Sequence, residues 1–318
     1  MNPSSFDPGL TQTFAGKIRR TIARDGSFNV HRIGRLRDRD LYLKMINGSW
    51  TRFFSFVVAA FLVTNLFFAT VYYMAGEDKI EGTVTNTGGG IFLRDFFFSV
   101  HTLTTVGYGN VVPHGFFTNM VAALEALTGL LGFAVATGML YGRFSRPAAR
   151  ILYSEKALIA PYQGITSLQF RIANRRSNEL MELEASVLLM TVIGPPEALR
   201  RDYKLLNLER RTVFFFPLTW TIVHPIDEDS PLYGKTADDL AQAQTEFLIL
   251  IKGFDDTFSQ AVHSRYSYRH EDLVWNAKFS QAFSVNDQGE MVLDLPQVSS
   301  YTTVPAAIQD SRSAVSNS

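Results

Sequence analysis

Cysteine is absent from all 318 residues, which excludes disulfides, thiol catalysis and cysteine-ligated metal centres. Net charge is absent as well. The 30 Lys and Arg balance 30 Asp and Glu, which argues against nucleic acid as a partner. No G-x-G-x-x-G follows a strand pattern, and no Walker lysine loop, H-E-x-x-H or G-x-S-x-G occurs. The histidines (His31, His101, His114, His224, His263 and His270) show no metal-ligand spacing. The first thirty residues lack an apolar h-region, so no cleavable signal peptide is expected. Together these absences predict a chain that is not an enzyme and needs no bound cofactor.

Long uncharged runs are present instead. Phe53 to Tyr73 carries no charge, with Trp50 and Arg52 at one end and Tyr72 and Tyr73 at the other. A helix of about 20 residues crosses a bilayer core, and interfacial anchors belong at its ends. Thr118 to Tyr141 is a second such run, with one charge, Glu125, and glycines at 129, 132 and 138 that permit close helix approach. An intramembrane carboxylate is costly. Glu125 therefore reads either as a hydrogen-bonding support for the segment between the two runs, or as a neutral structural group.

Basic residues are distributed unevenly around these runs. Residues 1–47 hold nine basic and four acidic side chains, whereas 74–117 hold two and four, and Arg143, Arg146 and Arg150 follow the second run. The positive-inside rule then puts both termini in the cytoplasm. Asp40 to Asn47, with Leu41, Met45 and Tyr42 toward one face, fits a short amphipathic helix on the inner membrane surface. Residues 1–34 read as a mobile or partly ordered arm.

Between the two spans, Arg94 to Thr104 is too short to cross and leads directly into Thr105-Val106-Gly107-Tyr108-Gly109. A helix that dips into the membrane and returns must bury its non-helical end or turn it to water. Its partly negative C-terminus would face the ion path. The two glycines permit backbone angles that aim successive carbonyls the same way. Those carbonyls and the Thr105 hydroxyl can replace a cation's hydration shell, and the five letters are those of potassium-channel filters. One chain supplies a quarter of such a ring, so a homotetramer around a central pore is expected.

Beyond Arg150 the texture changes. Leu168–Ala173, Glu184–Val192, Val213–Val223 and Glu246–Lys252 are β-branched or aromatic, separated by the turn signals Gly194-Pro195-Pro196, His224-Pro225 and Pro231-Leu232-Tyr233-Gly234. This spacing predicts an antiparallel sandwich, interrupted by a helix over Ala237–Ala243. The Ser-, Ala- and Thr-rich end reads as a disordered tail. The expected organisation is an arm over 1–39, a slide helix over 40–49, a two-span pore domain over 50–150, a cytoplasmic β-sandwich over 151–300 and a tail over 301–318.

From about Asp40 to Leu295 the chain resembles the inward-rectifier potassium channel family, most closely its bacterial KirBac-type branch. Trp220-Thr221-Ile222-Val223-His224-Pro225-Ile226-Asp227-Glu228-Asp229-Ser230-Pro231-Leu232-Tyr233-Gly234 looks like the family's cytoplasmic signature. Leu124-Glu125-Ala126-Leu127 and Tyr141-Gly142-Arg143-Phe144-Ser145-Arg146-Pro147 look like its inner helix. The resemblance implies two transmembrane helices with a re-entrant pore helix, and an immunoglobulin-like cytoplasmic sandwich. It implies K+ held by Thr105, Val106, Gly107 and Tyr108, with Gly109 completing the filter, in a bacterial inner-membrane protein. Gly129 matches a hinge glycine, Phe133 the cavity position that binds blocking cations in many relatives, and Tyr141 the bundle-crossing gate. Gly253 and Phe254 match a loop that narrows the cytoplasmic pore.

Departures from the family pattern carry their own expectations. Phe133 is apolar, which argues against strong polyamine block at that site. Ala148 and Ala149 replace lipid-binding lysines, leaving Arg143, Arg146 and Arg150 as candidates for anionic headgroups. His101 and Val111 stand where eukaryotic relatives have a salt bridge behind the filter, so His101 becomes a candidate filter support. A competing reading, a β-sandwich receptor merely anchored by two spans, leaves the filter letters unexplained. A third keeps the pore but makes it poorly selective among alkali cations.

Overall fold

A computed structural model of the chain describes residues 8–10, 20–31, 41–76, 80–82, 90–145, 150–176, 178–195 and 198–305. They divide into two compact units, a helical one within residues 33–146 and a β-rich one formed by the segments on either side of it.

The helical unit begins with α1 (Leu41–Asn47) and α2 (Trp50–Ala75). The Ser49 hydroxyl accepts from the Arg52 amide at 3.3 Å, capping α2, and Gly76 at φ +107° ends it. Strand β1 (Ile80–Gly82), helix α3 (Gly90–Leu103), strand β2 (Val111–Pro113) and helix α4 (Gly115–Phe144) follow. With 26 and 30 residues, α2 and α4 are about 39 and 45 Å long, enough to cross a membrane. Their apolar side chains largely face outward in the single chain, with Val63 66% and Leu130 60% exposed. A soluble core helix would bury such residues, so the exposure favours lipid or a neighbouring subunit.

All these elements except α1 meet at one buried cluster of Phe68, Tyr72, Ile80, Phe98, Val111 and Val121. Strands β1 and β2 are antiparallel, with Ile80 opposite Pro113 and Gly82 opposite Val111. On α1 the buried residues are Met45 and Ile46, while Tyr42 and Leu43 are exposed. The expected Leu41–Tyr42–Met45 face is therefore rotated toward Ile46. Asp40 and the Leu41 side chain lie outside the described residues.

The β-rich unit contains β3 (Ile151–Tyr153), β4 (Ala157–Tyr162), β5 (Ile165–Asn174), β6 (Leu180–Ile193), β7 (Arg200–Leu205), β8 (Thr212–Phe215) and β9 (Thr219–Ile226). Helix α5 (Ala237–Gln242) follows, then β10 (Glu246–Asp255), β11 (Gln260–Arg269), β12 (Leu273–Trp275), β13 (Ala277–Phe279), β14 (Phe283–Val285), β15 (Met291–Leu293) and β16 (Tyr301–Thr303). One five-stranded sheet runs β11-β10-β6-β7 with β8 also on β6. The other runs β12-β4-β5-β3 with β9 also on β5. Both contribute to one core that includes Ile159, Leu168 and Ile222 from the second sheet and Leu183, Phe247 and Ile249 from the first.

Several expectations change here. Val213–Val223 is two strands, broken at Phe216-Pro217-Leu218, because proline has no amide to continue a ladder. His224-Pro225 is not a turn: both lie in β9, where Pro225 faces Ser167 of β5. Proline is tolerated there because, among the described residues, no second strand pairs with β9. Helix α5 is set by a capping box, in which the Asp239 carboxylate accepts from the Thr236 amide at 2.8 Å and the Thr236 hydroxyl from the Asp239 amide at 3.2 Å. The tail does not start at 301, since Tyr301–Thr303 pairs with Ala277–Phe279, as its aromatic and β-branched residues favour. Within the described part of the arm, Ile22 is buried against Met190, Tyr203 and Leu248, while residues 27–31 are exposed.

Candidate functional site

Helix α3 ends directly at the glycine-bearing segment. The His101 carbonyl accepts from the amides of Val106 at 2.9 Å and Gly107 at 3.1 Å, and the Thr105 amide donates to Thr102 O at 3.0 Å. The backbone then alternates in hand. Thr105, Gly107 and Gly109 have φ of +58°, +53° and +76°, whereas Val106 and Tyr108 stay negative. Carbonyls of an ordinary strand alternate sides. Reversing the hand at every second residue swings them toward one side. For a β-branched threonine the left-handed region costs roughly 1–3 kcal/mol, a strain that clusters at functional sites. Val106 and Tyr108 project outward at 51% and 72% exposure, and the Tyr108 ring meets the His101 ring edge-on at 4.8 Å.

Between α2, α3 and α4 lies a polar network sealed from solvent. Glu125 of α4, Tyr72 and Asn65 of α2 and Ser99 of α3 are all fully buried. The Tyr72 hydroxyl donates to one Glu125 oxygen at 2.7 Å, and the Ser99 hydroxyl donates to the other. Asn65 Oδ1 lies 3.1 Å from Ser99 Oγ, and Asn65 Nδ2 donates to Phe61 O at 2.7 Å. One carboxylate thus ties three helices together. Tyr72 belongs to this network and is not an interfacial anchor; its neighbour Tyr73 is exposed and packs on Phe92. Asn65, the one amide side chain in the middle of α2, was the overlooked sequence signal.

Gly129 sits where α4 passes the last turn of α3, and a Cβ there would collide with the Leu103 carbonyl oxygen. Helix α4 runs unbroken through this position. On the far side of the segment, β2 is stitched to β1, and His114 Nε2 lies 2.6 Å from Glu81 Oε2.

At the other end of α4, Arg143 reaches α1. Its guanidinium donates to the carbonyls of Met45 and, at 2.8 Å, Gly48, which lie at the unsatisfied C-terminal end of α1. It also lies 4.5 Å from the Trp50 ring centroid and 5.0 Å from that of Phe53. A lipid headgroup at Arg143 would have to compete with these contacts. Arg150 is exposed, and Arg146 lies outside the described residues.

Phe133 and Tyr141 project from α4 at 74% and 73% exposure. Gly253 and Phe254 do not lie in a loop. They are within β10, opposite Val262 and Ala261 of β11, at a register shift against β6. Gly253 suits that shift because a Cβ there would press to 3.2 Å on Leu183. Among the described residues no group of three His, Asp or Glu side chains could hold a metal ion.

Comparison with known proteins places these features in context. Residues 151–317 match the inward rectifier potassium channel C-terminal domain, and residues 60–146 match the ion channel family. The chain is 37% identical over 281 residues to inward rectifier potassium channel Kirbac3.1 of Paramagnetospirillum magnetotacticum, covering 87% of this chain and 93% of that protein. It is 25% identical over 316 residues to G protein-activated inward rectifier potassium channel 3 of Mus musculus, covering 89% and 78%. A solved structure of Pseudomonas fluorescens alkylpurine DNA glycosylase AlkC, bound to DNA containing an abasic site analog, aligns over 58% of this chain and 48% of that one. Its identity is 10% and its TM-score 0.20, too low to indicate a common fold. The two long apolar helices, the β-rich C-terminal half and these matches lead to one conclusion: the chain is a multi-pass membrane protein that belongs to the inward rectifier potassium channel family.

Proposed function

We propose that this chain forms a homotetrameric potassium channel whose filter is Thr105 to Gly109. The observation that carries the reading is the alternating backbone hand at Thr105, Gly107 and Gly109, directly after α3 and between two membrane-length helices. Four such segments around an axis present rings of carbonyls that replace a potassium ion's water, each ring weak enough to release it to the next. In this reading α3 is the re-entrant pore helix, and K+ binds at Thr105, Val106, Gly107 and Tyr108. The Glu125 network and His101 hold the filter in shape from behind. The exposed Val106, Tyr108, Phe133 and Tyr141 face the pore or a neighbouring copy. Tyr141 closes the inner end as a hydrophobic constriction, with Gly129 allowing α4 to pack against α3.

The β-rich unit is, in this proposal, the cytoplasmic immunoglobulin-like regulatory domain over residues 151–300, with both termini cytoplasmic in a bacterial inner membrane. Gly253 and Phe254 narrow its pore from β10. Arg150 and Arg146 attract anionic headgroups, at about 1 kcal/mol each. Arg143 is a latch between α1 and α4, since both terminal nitrogens of its guanidinium are already engaged there.

The test is Gly107→Ala. Within the chain no atom lies within 4 Å of the added methyl, so the change strains the backbone at φ +53° without an internal clash. The variant assembles as a tetramer, and rubidium uptake into its proteoliposomes is abolished. Full uptake overturns the filter assignment.

A further inference from the structure

The outer face of the first sheet carries a row of charge across three strands. Glu184 of β6 stands opposite Lys252 of β10, and Lys252 stands opposite His263 of β11. Lys252 Nζ lies 3.9 Å from Glu184 Oε2, with the two side chains 49% and 47% exposed, and His263 is exposed as well. All three point away from the core, because their strand neighbours Leu183, Ala185, Ile251 and Val262 point into it. Thr212 of β8, on the far side of Glu184, is uncharged.

The row adjoins the constriction assigned above. Lys252 precedes Gly253 and lies two residues from Phe254, so the ammonium and the Phe254 side chain share one face of β10. The register shift at this point puts the extra residue in β6, where Glu182 has φ +50°, and β10 stays regular against β11. An exposed ion pair of this length adds little to stability. Its consequence is the field it leaves. Lys252 cancels Glu184, so the row is neutral while the imidazole is neutral, and it gains one positive charge per chain when His263 takes a proton. The other charged groups of these strands around the row are Glu182, Asp255 and Arg265. Histidine is the side chain among them suited to change charge between about pH 5 and 8.

We propose that Glu184, Lys252 and His263 set the charge that permeating cations meet at the cytoplasmic constriction. Lys252 cancels the Glu184 carboxylate, and protonation of His263 turns the row positive and slows cation flux. The effect on flux rests on the channel reading above. In that reading four copies multiply each change of charge around one axis, and a path lined by one sign of charge alters local ion supply by about tenfold or more.

Rubidium uptake by the full-length chain in proteoliposomes tests this at two salt concentrations. At about 0.01 M charge acts over about 30 Å, and near 1 M over about 3 Å. Lys252→Gln leaves the carboxylate uncancelled. At low salt its uptake rises about threefold over wild type, and Mg2+ blocks it at about tenfold lower concentration. Glu184→Gln shifts both readouts the opposite way, and Lys252→Arg restores wild-type behaviour. Wild-type uptake falls about threefold as pH drops from about 7.5 to about 5.5, and His263→Gln removes that fall. These differences shrink near 1 M salt. Unchanged uptake and Mg2+ block in Lys252→Gln at low salt overturn the inference and leave the channel reading standing. A pH response that survives in His263→Gln overturns the role of the imidazole. Differences that persist near 1 M salt overturn the electrostatic cause. A wild type without uptake overturns the channel reading and this inference with it.

Discussion

The Tyr72 hydroxyl donates to the Glu125 carboxylate at 2.7 Å, from one membrane-length helix to the other, with both side chains sealed from solvent. Hydrogen bonds to a charged group contribute about 1.5–3 kcal/mol. Tyr72→Phe should lower the melting temperature of the purified protein by several degrees. Repeating it in a Glu125→Ala background should erase most of that effect. Additive losses in such a cycle would show that the two groups are not coupled.

The glycines of α4 should differ sharply. Gly129→Ala drives a methyl into the Leu103 carbonyl, and overpacking of this kind costs about 1–3 kcal/mol. Gly132→Ala and Gly138→Ala meet no atom within 4 Å. Rubidium uptake and thermal stability should fall for position 129 and hold for 132. Equal tolerance at both would mean that α4 does not pass α3 so closely.

Arg143 is a fork seated on two carbonyls and two rings. Lysine keeps the charge but not the planar geometry, so Arg143→Lys should recover less than half of what Arg143→Ala loses. Cation–π contacts alone contribute about 0.5–2 kcal/mol. A red-shifted Trp50 emission, read in a Trp220→Phe, Trp275→Phe background, would report release of the latch. Full rescue by lysine would point to charge alone.

His224 links stability to pH. The Asn207 carbonyl can only accept, so Nδ1 at 2.6 Å carries the proton, and Nε2 accepts from the Ser230 hydroxyl at 2.8 Å. That hydroxyl in turn accepts from the Leu232 amide at 3.1 Å. Burial holds the imidazole below the usual histidine range, against smaller opposing effects of Asn207 and Asp227. Below about pH 6.5 the unfolded chain therefore binds a proton that the folded one resists. Stability of the β-rich unit should fall as pH drops from about 6.5 toward 5, by at most ~1.4 kcal/mol per unit. His224→Gln should flatten that limb; an unchanged slope would assign it to other groups.

The helical unit was largely legible because its signals are local. An uncharged run, a short lead-in and five filter letters are contiguous in sequence. Helix α3 begins before the expected Arg94, at Gly90 with φ +62°, because a glycine carries no helical signal in sequence. The Glu125 partners were half hidden, since a tyrosine at the end of an apolar run looks like an interfacial anchor until packing turns it inward. The hydrogen bond from Thr21 to the buried Glu246 carboxylate was illegible because the donor lies 225 residues away and carries no motif. Short strands such as β12 to β16 were missed for a related reason: three residues hold no period, and their pairing is decided by tertiary contacts.

The antiparallel stitch between Ile80–Gly82 and Val111–Pro113 has a bearing on how this molecule tolerates change. It fixes the chain on both sides of α3, and Ser99 of α3 is itself tied to Asn65 of α2 and Glu125 of α4, so added length between Gly82 and Gly90 should not reach the segment after α3. Insertions there should leave ion selectivity untouched. That makes the stretch a natural place for lineages to diverge in length, and for an experimenter to graft a tag.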